Sequence, residues 1–133
     1  MFKMLKLSKE HCEACGLGLI RLALAAVFIS HGAQKWLNMD QTIGFFGSLG
    51  LAPFFTYLVA TVELLGGLAM LFGIWTKWAG YALAVVMLFA IILVRGKMGF
   101  LGGYEFELTL LLVALGVALL GPGACSVERK MKK

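Results

Sequence analysis

The chain has 133 residues, 61% of them apolar and 14% charged, with a formal net charge of +5. A soluble domain carries roughly 25% charged residues, so this composition excludes a surface that faces water all round and predicts one domain, residues 1–133, embedded in lipid. Nucleic acid is excluded as a partner: Lys3, Lys6, Lys9, Arg129, Lys130, Lys132 and Lys133 sit in two tails beside apolar segments, where anionic headgroups are the natural counter-charge.

Residues 1–9 interleave lysines with Phe2, Leu5 and Leu7 and lack the apolar run and small-residue cleavage site of an export signal, so the first span is expected to be retained. Residues 16–34 contain one formal charge, Arg21, and reach about 28 Å as a helix, enough to cross. A polar break at Lys35, Asn38, Asp40 and Gln41 follows. The next stretch, TIGFFGSLGLAP, is too short to span and too apolar for water, and reads as an interfacial helix or a shallow re-entrant turn. Pro53 suits a helix start because its missing N–H would be unpaired there anyway. Residues 54–75 form the second span, with Glu63 as its single charge. Thr76 and Lys77 read as a tight turn, with Trp75 and Trp78 as interface anchors. The third span, residues 78–94, has no charge. An exposed connection rich in glycine leads to the fourth, residues 107–120, which Gly121-Pro122-Gly123 stops because proline cannot continue the hydrogen-bond ladder.

The expected fold is therefore an all-α membrane protein, a four-helix transmembrane bundle with a short interfacial or re-entrant segment between spans 1 and 2. Eight basic residues, those of the tails and Lys77, fall on one side, and Lys35, Arg95 and Lys97 on the other. The richer side belongs in the cytoplasm, which places tails 1–15 and 121–133 there.

Ionisable groups within a span cost about 2.5–3.5 kcal/mol on insertion scales, so each requires a partner or a purpose. On the first helix Arg21 and Lys35 share a face to within about 40°. His31 lies about 40° further round, and with Gln34 these residues form one polar stripe expected to face the bundle interior. Glu63, Gly66, Gly67 and Met70 follow helical spacing, with the glycines admitting a close neighbour. His31, Glu63 and Glu107 are placed so that they converge in the outer half. A structural reading pairs Lys35 with Glu107 and Glu63 with His31, while Arg21 snorkels to the headgroups. The functional reading makes His31, Glu63 and Glu107 a proton-handling site and Arg21, His31, Gln34, Lys35, Glu63, Gly66 and Gly67 the lining of a ligand pocket.

His11-Cys12-Glu13-Ala14-Cys15 puts a C-x-x-C just before the first span, and Cys125 follows the last. Three readings stand: a redox dithiol, half of a metal site, or thiols kept reduced by the cytosol. Zinc would need His11, Cys12, Cys15 and Cys125 together, which requires the C-terminal tail to fold back. No metal site is expected, and Gly16 stands where a c-type haem motif has histidine.

Taken in order, Arg21-Leu22, His31-Gly32-x-x-Lys35, Glu63-Leu64-x-Gly66-Gly67 with Gly73, Tyr104-Glu105-x-Glu107-Leu108 and Gly121-Pro122-Gly123 with Ser126 resemble the DoxX family. The resemblance runs over nearly all of residues 16–129. It implies a four-span bacterial or archaeal inner-membrane protein, some of whose relatives are subunits of a thiosulfate:quinone oxidoreductase and others of which are linked to membrane thiol and sulfur redox complexes. The C-x-x-C and Cys125 are not part of that pattern, and Glu128 stands where aspartate is expected. The leading expectation is a component of a membrane thiol or sulfur redox system that binds quinone or another small apolar ligand in the bundle. It would work with a soluble redox partner at the cytoplasmic face and as a homo-oligomer. A partner-recruiting scaffold and a small oligomeric transporter are the alternatives.

Overall fold

The computed structural model describes residues 1–131, so Lys132 and Lys133 of the basic C-terminal tail lie outside the described residues. Six α-helices run in order: α1 (Phe2–Leu37), α2 (Met39–Ser48), α3 (Pro53–Phe72), α4 (Thr76–Ala90), α5 (Glu105–Leu120) and the short α6 (Val127–Met131). There is no strand among the described residues. Among the described residues, four helical stretches are long and apolar enough to cross a membrane: Phe2–Leu37, Pro53–Phe72, Thr76–Met98 and Phe100–Leu120. Only a minority of each stretch is buried within the protein. Helices that are apolar all round yet packed on one face need lipid on the other.

Several boundaries differ from those read off the sequence. The first helix starts at Phe2, so residues 2–15 prolong it. Thr76 and Lys77 open α4 and are not the turn before it. The reversal falls one step earlier, where Gly73 takes a left-handed conformation (φ 69°) and Trp75 a positive φ of 50°. Thr76 and Lys77 have no residue of the glycine type that such conformations favour. Beyond Ala90 the helix loosens into a wide turn over Ile91–Arg95 and a tight one over Gly96–Met98, and the chain bends through Gly99 and Gly102 into α5. The segment after span 1 is the helix α2, which carries no buried residue and leans on α3.

The bundle is cyclic in its packing: α1 against α3, α3 against α4, α4 against α5, and α5 back against α1. Both described termini, the Gly73–Trp75 turn and α6 lie at one end, hereafter the terminal end. The α1–α2–α3 connection and the bend into α5 lie at the far end. Leu24, Ala25 and Phe28 of α1, Met70 of α3, Leu83, Ala84 and Met87 of α4, and Leu110, Ala114 and Val117 of α5 fill the centre.

Lipid is as apolar as leucine, so close packing holds such helices together in place of water exclusion. Glycine provides it here. A Cβ on Gly32 would sit 2.6 Å from the backbone nitrogen of Leu64, and one on Gly67 would sit 2.8 Å from that of Ile29, so α1 and α3 touch backbone to backbone. Gly80 makes the equivalent contact between α4 and α5, against the carbonyl of Ala114.

This predicts a contrast between two substitutions of the same kind. Gly32→Ala forces α1 from α3 and is expected to destabilise the protein by about 1–3 kcal/mol. Gly116→Ala, which meets nothing within 4 Å, is expected to be neutral or slightly stabilising. Unfolding of both variants in detergent by SDS titration measures the difference.

Candidate functional site

The contact at Gly32 fixes how α1 is turned. Lys35, three residues on, stays on the face toward α3, whereas His31 is rotated about 100° away. Lys35 Nζ accordingly reaches Glu63 Oε2 at 2.7 Å, and the carboxylate is only 4% exposed. The ammonium keeps 22% of its side chain accessible because it forms part of an open cleft of about 420 Å³, lined by Gln34, Lys35, Asn38, Gln41, Thr42, Phe45 and Phe46. Asn38 shapes that cleft by closing α1 on the Gln34 carbonyl, while the Thr42 hydroxyl donates to the Asn38 carbonyl at 2.8 Å. The lining thus combines amides and an ammonium with two phenylalanine rings.

Among the described residues, no hydrogen bond or ion pair joins His31, Glu63 and Glu107 to one another. His31 is exposed and packs its ring 6.0 Å from that of Phe106. Glu107 pairs with Arg95 Nε at 3.4 Å, and its Oε2 is buried with no hydrogen-bond partner among the described residues. The pairings read from sequence are thereby exchanged: Lys35 goes to Glu63, not Glu107, and no hydrogen bond joins Glu63 to His31. The reasons are reach and charge. A lysine one turn past His31 spans the gap to α3, and an ammonium holds a buried carboxylate better than an imidazole does. The loosened turn at Ile91–Arg95 brings the Arg95 guanidinium back toward α5. Leu83 fills the space beside Gly66, and Ile29 that beside Gly67.

At the terminal end Arg21 is 4% exposed. It does not snorkel. Its Nη1 donates to the Met70 carbonyl at 3.1 Å and its Nη2 to the carbonyl of Cys125. A side chain at Gly73 would overlap both Arg21 and Ser126. The Ser126 hydroxyl donates to the Gly123 carbonyl and accepts from the Arg129 N–H, capping α6, and the Glu128 N–H donates to the Gly73 carbonyl at 3.0 Å. The C-terminal segment therefore folds back over α1 and α3. Sequence reading missed this latch, although Gly121, Gly123 and Ser126 after a terminating helix carried its signal.

Cys12, Cys15 and Cys125 are free and exposed. Although the C-terminal segment does fold back, no group of three or more His, Cys, Asp or Glu positioned to hold a metal occurs among the described residues. Twenty helical residues, about 30 Å, separate Cys15 from Lys35.

Residues 16–96 match the DoxX family. "Putative oxidoreductase CatD" of Bacillus subtilis (strain 168) is 41% identical over 77% of this chain and 77% of its own length. The chain belongs to the DoxX family. "Uncharacterized membrane protein Rv3486" of Mycobacterium tuberculosis (strain ATCC 25618 / H37Rv) is 34% identical over 86% of this chain and 80% of its own. "Inner membrane protein YqjF" of Escherichia coli (strain K12) is 30% identical over 91% and 95%. No solved structure matches. This DoxX protein is thus a membrane protein, and the motif residues dispersed along it gather into three polar clusters: Arg21 with Gly73 and Ser126, Lys35 with Glu63, and Arg95 with Glu107.

The central pair has a distinctive energetic signature. Lys35→Met leaves Glu63 charged and stranded, and is expected to cost about 2–3 kcal/mol, below the usual 3–5 for a buried pair because Lys35 touches solvent. The double variant Lys35→Met/Glu63→Gln is expected to recover most of that loss. A double-mutant cycle on unfolding free energies in detergent measures the coupling.

Proposed function

We propose that this DoxX protein is a component of a membrane redox system that binds a quinone, or another small apolar ligand with a polar head, in the far-end cleft at Lys35. The observation that carries the reading is an ammonium fixed by a buried carboxylate in a cleft that is also lined by two phenylalanines. A quinone has that composite character: a flat apolar ring edged by two carbonyl oxygens that need hydrogen-bond donors. Lys35 has three N–H donors, of which Glu63 engages one. Gln34, Asn38 and Gln41 offer further amide donors, and Phe45 and Phe46 offer ring faces. Quinone reduction takes up two electrons and two protons. Glu63 holds the ammonium in place for that uptake, and we assign proton exchange with solvent to His31 and Glu107 at the same end. The name of the relative CatD supports the redox class.

The test is equilibrium binding of short-chain ubiquinone and menaquinone analogues to the protein in lipid nanodiscs. Binding by the native chain, weakened at least about tenfold in Lys35→Met and in Glu63→Gln, is expected, since a charge-assisted hydrogen bond is worth about 1.5–3 kcal/mol. Absence of binding, or variants that bind as the native chain does, rejects the reading.

The distribution of lysine and arginine supports a second element of the proposal: the terminal end, with Cys12 and Cys15, faces the cytoplasm. A membrane-impermeant maleimide is then expected to label these thiols in inverted membrane vesicles and not in intact spheroplasts, and the reverse pattern turns the topology over.

A further inference from the structure

Residues 2–15 do not trail from the bundle but extend α1 as an unbroken helix, and that helix carries the two exposed thiols three positions apart. On such a helix their Cα atoms are about 5 Å apart, within the span of a disulfide. Their Cβ atoms, however, are about 5–6 Å apart, wider than the roughly 3.5–4.5 Å of a relaxed bridge. A Cys12–Cys15 bond therefore forms only by tightening the turn. It closes a very small loop in a segment already helical, so it constrains the unfolded chain little. A strained, exposed bridge is one that is readily given up.

The third member of the cluster sets a direction. His11 lies one turn before Cys15 on the same face, with Nε2 3.7 Å from Cys15 Sγ, the position from which an imidazole receives a thiol proton. Among the described residues, Cys12 has no such imidazole contact. Beside it Lys9 and Glu13 are engaged with each other at 3.8 Å.

From this arrangement we propose that His11, Cys12 and Cys15 form a thiol–disulfide exchange site, in which Cys15 attacks and Cys12 resolves. The co-reactant is an accessible disulfide, R–S–S–R, of a small thiol or a soluble protein. Cys15 gives its proton to His11 and its sulfur attacks one sulfur of the disulfide. A mixed disulfide forms as the first R–S⁻ departs and is protonated by the imidazolium. Cys12 then displaces the second R–S⁻ from Cys15, its own proton going with the leaving group. The net change is two protein thiols and one disulfide converted to one protein disulfide and two R–SH. The inference extends the redox reading above to the opposite end of the molecule, and it does not depend on the ligand at Lys35.

The experiment uses the full chain in nanodiscs with oxidised glutathione as the probe, free thiols being trapped by maleimide and the products identified by mass and peptide mapping. The native chain is expected to acquire an internal Cys12–Cys15 bridge that reduced glutathione reverses, with Cys125 reacting independently. Cys12→Ser is expected to stop at a glutathione adduct on Cys15. In Cys15→Ser the adduct on Cys12 is expected to form about tenfold more slowly, and His11→Ala is expected to slow the native reaction by a similar factor. Separate adducts on both cysteines with no internal bridge overturn the proposal. Equal rates at the two cysteines, unchanged by His11→Ala, overturn the assigned roles. No quinone is present, so failure here leaves the Lys35 reading standing, and failure of quinone binding leaves this one standing.

Discussion

A charge carried into an apolar bundle has no water to fall back on, and this requirement orders the rest of the protein. Three ionisable groups in the spans are answered from another part of the chain: Arg21 by two carbonyls, Glu63 by Lys35, Glu107 by Arg95. These pairings tie α1 to α3, α1 to the C-terminal segment, and the end of α4 to α5. Hydrophobic contacts alone would hold such helices in lipid without fixing their rotation or depth, because leucine against leucine is little different from leucine against an acyl chain. The polar links supply the register, and the glycines at positions 32, 67 and 80 let the backbones come close enough for them to form.

The three clusters differ in what they can do. At Arg21 both hydrogen-bonded carbonyls are backbone and the space around Gly73 is filled, so the guanidinium serves as an internal fastening. The Arg95–Glu107 pair lies where α4 has already loosened, at a bend with glycines on both sides. The Lys35–Glu63 pair joins a buried charge to an open cleft. Placing the candidate chemistry at Lys35 thus follows from access as much as from charge.

Much of this architecture was legible in the sequence and some of it was not. Hydropathy locates four spans because a crossing demands a length that few other structures require, and the inward face of Arg21 and Lys35 follows from their spacing on one helix. Partner choice is another matter. Whether Glu63 meets His31 or Lys35 depends on how far α1 slides and turns against α3, which Gly32 decides through contact with Leu64. One-dimensional spacing carries no information about that offset. Likewise the break before α4 was misplaced by a few residues because Thr76 and Lys77 are polar, whereas the backbone reverses at Gly73, where a left-handed conformation is cheap. The latch over Arg21 escaped because its acceptors are main-chain carbonyls: Gly121, Gly123 and Ser126 announce a turn and a cap, but not the side chain they close upon.

The latch also bears on how the protein is made. Arg21 and the carbonyl it reaches at Cys125 are 104 positions apart. Synthesis delivers the guanidinium early, with the first span, and its second acceptor only after the fourth span has been completed. Until then the arginine lacks one of its two acceptors. Its final seat, beside Gly73 and beneath Ser126, is assembled around it last. Membrane entry and tertiary closure are therefore separate events in this protein, and the closing Gly-Pro-Gly turn marks the boundary between them.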